Sequence, residues 1–129
     1  MKKTVWLERS LVVLPFYLAL FTDPDDYYKE LKKLEIEPRL WPDFVISERA
    51  NASVHFFTRT GKKLAIVCIQ KGDYTGVEIA GLLVHEAVHI WQEMCSDIGE
   101  RFPSDEFEAY SIQSISQQLM IAYRNQSVE

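Results

Sequence analysis

Residues 82–93 read LLVHEAVHIWQE: two histidines and a glutamate at the centre of a run that is otherwise mostly apolar. Burying an unpaired imidazole or a carboxylate is costly, so a polar cluster in such surroundings needs a partner. His85 and His89 are four residues apart and therefore lie one above the other on a single helical face. Two neutral imidazoles so placed can bind one tetrahedral Zn²⁺ at about 2.0–2.1 Å each. Glu86 projects about 100° further round the helix, where it can act as a base on water at the ion without ligating it. Around them Ile79, Leu83, Val84, Ala87, Val88, Trp91 and Cys95 form a broad apolar surface. The partner this pattern points to is a metal ion, one per chain. The plain alternative is an HExxH on a solvated helix with no metal.

Zinc in hydrolytic sites usually has a third protein ligand and one open position. The candidates lie in SDEFEAYSIQSI, where Glu106 and Glu108 follow His89 by 17 and 19 residues. Gly99 and Pro103 in the intervening loop allow two helices to pack antiparallel. The arguments for the two glutamates differ. Periodicity favours Glu108, which heads a stripe with Ile112, Ile115, Leu119 and Ala122. Glu106 heads a smaller, more polar stripe of Ala109, Tyr110, Gln113 and Gln117, as a face over an open metal position would be.

HEAVH followed by a glutamate-bearing helix resembles the gluzincin branch of zinc metallopeptidases, and the whole chain resembles small phage- and prophage-type metallopeptidases. Glu106-Phe107-Glu108-Ala109-Tyr110 looks like the E-x-x-A-D or E-x-E-A-N pattern of prenyl-protein peptidase-like and ImmA/IrrE-like proteins. The resemblance covers about 45 residues, from Thr75 to Leu119. It implies Glu106 as the third ligand, against the Glu108 that periodicity favours, and it implies a supporting contact to a ligand from Tyr110, which stands where Asp or Asn is usual. It further implies a minimal zincin architecture and zinc-dependent hydrolysis of a peptide or protein, in which zinc activates a water and Glu86 is the general base. Tyr110 and His55 are candidates for stabilising the oxyanion, although a plain structural role is the simpler reading of His55. An edge strand between Ser53 and Gln70 would hold an extended substrate. Two alternatives stay open: a zincin-fold binding or structural protein with zinc but little or no turnover, and an interaction module whose polar cluster is a metal-free hydrogen-bonded core.

The elements that must position these residues can be read from pattern. TDPDD, residues 22–26, signals a turn and a helix start, with a short amphipathic helix through Tyr27, Leu31 and Leu34. SVHFFTRTGKKLAIVCIQK reads as two strands about a turn at Thr60-Gly61. Thr75 is placed to cap the histidine-bearing helix, which runs to about Cys95, and Ser104 to cap a last helix from about Asp105 to Arg124. These elements predict an α+β domain spanning residues 1–129, with a small antiparallel sheet against the HExxH helix and a C-terminal helix.

Composition bounds the function classes. A 129-residue chain with 47% hydrophobic and 26% charged residues fits one globular domain. A net charge of −5 with only scattered Lys-Lys pairs argues against a nucleic-acid partner. The apolar run from Leu11 to Phe21 loosely mimics a signal peptide. However, Glu8, Arg9 and Pro15 interrupt it, no small-residue cleavage site follows, and it is too short to span a membrane. A core strand or short helix is the expected use of that run. Cys68 and Cys95 lack metal-ligand spacing and read as buried free thiols, with a disulfide as the alternative. A cytoplasmic setting follows, that of a bacterial host if the chain is phage-encoded.

Overall fold

The computed structural model describes residues 6, 16–47 and 49–127. Its elements run β1 (Phe16–Phe21), α1 (Pro24–Lys33), a 3-10 turn at Pro38–Leu40, β2 (Ala52–Arg59), β3 (Lys62–Ile69), α2 (Gly76–Ile98) and α3 (Asp105–Ser127). The fold is α+β, as the pattern predicts. The sheet is mixed rather than wholly antiparallel: β3 lies in the middle, antiparallel to β2 and parallel to β1. A hairpin turn enforces the first pairing. Thr60 and Gly61 both have positive φ (50° and 77°), as the tight turn joining two right-twisted strands requires. β1 reaches β3 only after the chain has crossed through α1, and such a crossover allows parallel pairing. The apolar run from Leu11 to Phe21 thus supplies β1 from its last six residues, while residues 11–15 lie outside the described set.

Side chains alternate across the strands, which divides the core into two layers. Phe16, Leu18 and Leu20 of β1, Ala65, Val67 and Ile69 of β3, and Ala52, Val54 and Phe56 of β2 face α2 and α3. Ala19, Phe21, Ile66, Cys68 and Phe57 face α1, packing with Tyr27, Leu31 and Phe44. Into the first layer α2 inserts Leu83, Ala87, Ile90, Trp91 and Met94, and α3 inserts Ile115 and Leu119. Cys68 and Cys95 are free thiols, so the disulfide alternative is not realised.

The helix that carries the histidines is fixed at both ends. Thr75 Oγ1 accepts from the Glu78 N–H (3.1 Å) and the Thr75 N–H donates to Glu78 Oε1 (2.8 Å), a reciprocal capping box. Gly99 stops the helix in the left-handed conformation, φ 73°, which any side chain would strain. α2 extends three residues beyond the expected Cys95, and α3 starts at the expected Asp105, with the Phe107 N–H donating to Ser104 Oγ.

Candidate metal centre

His85 and His89 project from one side of α2, with their Nε2 atoms 3.1 Å apart and their rings meeting edge to face. Both side chains are exposed, whereas Glu86 is buried at 3% exposure. Donor atoms of the three residues all lie within 4.8 Å of one another, and among the described residues no other group of three or more His, Cys, Asp or Glu side chains is so placed. Two imidazole nitrogens in contact can make a hydrogen bond only if one donates and the other accepts. A cation between them removes that constraint. Two imidazoles on one tetrahedral ion, each at about 2.0–2.1 Å, would hold their nitrogens roughly 3.3 Å apart. The observed spacing fits such an ion after a small adjustment.

Burial holds the Glu86 carboxyl above the usual carboxylate range, and the adjacent His85 and His89 offset part of that rise. A carboxylate shifted towards neutrality is a better proton acceptor than an exposed one. The three side chains open into a cavity of about 430 Å³, whose opposite wall is Ala52, Ser53, Val54 and Phe56 of β2, with Ile46 at its rim and Gln92 and Glu93 along α2. A second cavity, lined by Asn51, Lys71, Asp73, Tyr74, Glu78 and Leu82 among others, meets the first at Ala52 and His85. His85 therefore stands where the two cavities meet, and His89 lines the one walled by β2.

The residues expected from α3 stand elsewhere. Trp91 lies two positions beyond His89, about 200° round the helix, and it is the Trp91 side of α2 that α3 meets. There the Trp91 indole N–H donates to Glu108 Oε2 at 2.9 Å, and the Phe107 ring packs edge-on against the indole. Glu108 does head the inward stripe, as its periodicity suggests, but that stripe serves the core and not the histidines. Glu106 and Tyr110 are exposed, as are Ala109, Gln113 and Gln117, so the polar stripe faces solvent. Neither glutamate joins the His85–Glu86–His89 group. His55 takes the plain structural place that is the simpler reading of it, away from the histidine pair. Strand alternation turns it to the α1 face of the sheet, where Nε2 lies 3.1 Å from the Phe44 carbonyl oxygen and the ring packs against Tyr27. The sheet thus lies between His55 and α2.

Glu93, one turn beyond His89, lines the same cavity but stands outside the His85–Glu86–His89 group. Glu93 Oε2 is 2.8 Å from Lys63 Nζ, at the start of β3.

Comparison of the chain with protein-family models, curated proteins and solved structures gives no match. Among the described residues no helix is long and apolar enough to cross a membrane.

Proposed function

We propose that this chain is a zinc-dependent hydrolase acting on peptide bonds, with His85 and His89 as metal ligands and Glu86 as general base. The observation that carries the reading is the 3.1 Å approach of the two Nε2 atoms beside a buried carboxylate, within a groove walled by an edge strand. Bound there, zinc would polarise a carbonyl and acidify a water. The chain's own residues account for the remaining steps. The outer edge of β2 offers backbone N–H and C=O groups to an extended peptide, which orients it along the groove. Ala52, Val54 and Phe56 give that wall an apolar surface. Glu86 takes a proton at its carboxylate during attack and returns it to the departing amine. Two free cysteines are consistent with work in a reducing cytoplasm, that of a bacterial host if the gene is carried by a phage.

A second reading, a metal-binding module with little turnover, is favoured by one observation: α3 contributes no carboxylate to the histidine group. Incubation of the zinc-loaded protein with an unfolded protein substrate separates the two, with cleavage followed by mass spectrometry. Chelator-sensitive cleavage that is lost in Glu86→Gln supports the peptidase. Zinc binding with no cleavage supports the module.

A further inference from the structure

We propose that Ile46 selects the substrate: the cavity beside the histidines takes a large apolar side chain adjoining the scissile bond, and Ile46 forms its rim. The inference rests on the hydrolase reading above and names the class of peptide that the site cuts. Ile46 is 79% exposed, and it stands at the edge of the cavity that His85, Glu86 and His89 share with Val54 and Phe56. A single exposed isoleucine means little by itself. What gives this one a role is that the chain around it is tied down. Phe44, two positions earlier, is buried in the α1 layer, where its N–H donates to Tyr28 Oη at 3.1 Å and its carbonyl oxygen lies 3.1 Å from His55 Nε2. The Ile46 N–H itself donates to Oγ of the buried Ser53, 3.2 Å away. Two side chains of β2 therefore fix the segment that carries Ile46, and residues 44–46 take the chain from the α1 layer to the cavity rim.

The lining decides which side chain fits. The volume of about 430 Å³ lies in the range of roughly 300–1,000 Å³ typical of ligand pockets. Ala52, Val54 and Phe56 supply one apolar wall, and Ile46 extends it outward. Among the described residues no lysine or arginine lines the cavity, and its carboxylates are already committed. Glu86 has the task of proton transfer, and Glu93 holds Lys63 Nζ at 2.8 Å. An acidic side chain would meet carboxylates without a cation, and a basic one would have to compete with Lys63 for Glu93. A leucine, methionine or phenylalanine side chain buries apolar area against these walls, and that burial is favourable.

The test is cleavage of a peptide library by the zinc-loaded full chain, with the cut bonds read by mass spectrometry, for the parent, Ile46→Leu, Ile46→Glu and Ile46→Lys. The parent should show kcat/KM at least about tenfold higher with Leu, Met or Phe at one position flanking the cut than with Glu or Lys there. Ile46→Leu should keep that preference. Ile46→Glu should lose most of it and favour Lys, and Ile46→Lys should favour Glu. Zinc affinity and Tm should match the parent in each variant, because the side chain is exposed, so a changed preference reports on the cavity and not on folding. A parent that cuts all sequences alike, or charged variants that keep its preference, overturns this inference alone. A parent that cuts none overturns the hydrolase reading with it.

Discussion

At Glu86, burial acts on the carboxylate proposed as the general base. Only 3% of the residue is exposed, and desolvation raises its proton affinity against the opposing influence of His85 and His89. Glu86→Gln keeps the shape and removes the basicity, so zinc should remain bound while hydrolysis falls by a factor on the order of 10² or more. Paired zinc analysis and peptide-cleavage rates check this, and joint loss of metal and activity would instead make Glu86 a structural residue. Lys63 gives a prediction in pH. Its hydrogen bond to Glu93 holds the ammonium above its ordinary value of 10.5, with the charges of Glu93 and Asp97 adding to the rise. A cation whose folded-state value is raised contributes stability fully at pH below 10.5, and that contribution is lost as pH climbs through the folded value. Lys63→Met should therefore cost about 1 kcal/mol or less near neutrality, since the pair is partly exposed, and the difference from the parent should shrink in denaturant titrations as pH rises beyond 10.5.

At the scale of elements, α2 is the part that must not move, and its capping box is its best-defined anchor. Thr75→Ala removes the hydroxyl that accepts from the Glu78 N–H and should cost about 1 kcal/mol in urea denaturation. His85 lies ten residues further along, so zinc affinity in the folded variant should be unchanged. Much of this scale was legible in the sequence: Thr75 and Ser104 as caps, the turn at Thr60-Gly61, and the inward stripe of Ile112, Ile115 and Leu119 each follow from local chemistry. What was not legible was pairing and docking. The alternation in SVHFFT shows that Val54 and His55 face opposite ways, but not which face meets α2. The stripe of α3 shows which residues turn inward, but not that the helix docks on the Trp91 side of α2. That side is settled by long-range packing of Trp91 with Phe107, and it carries Glu108 away from the histidines. The candidate site was therefore readable where its members share one helix and not where they were expected from two.

For the whole molecule, the sheet is a partition. The α1 layer, with His55 hydrogen-bonding and packing inside it, supports β3 from behind, and the α2–α3 layer supports the histidine-bearing helix. Ile90 is fully buried within the α2–α3 layer, one position beyond His89. Ile90→Ala should destabilise the protein by about 2–5 kcal/mol in chemical denaturation, and added zinc should recover part of the loss, because a ligand of the native state alone stabilises it. The central claim is that His85 and His89 form a metal site, and thermal melting of metal-free protein with and without zinc tests it most directly. At a free zinc concentration one hundred times Kd, binding adds about 2.7 kcal/mol, which for a chain of this size raises Tm by roughly 10 °C. The account predicts such a rise in the parent, one zinc per chain after desalting, and neither in His85→Ala or His89→Ala. A parent whose Tm zinc leaves unmoved, or variants that gain as much as the parent, would contradict it.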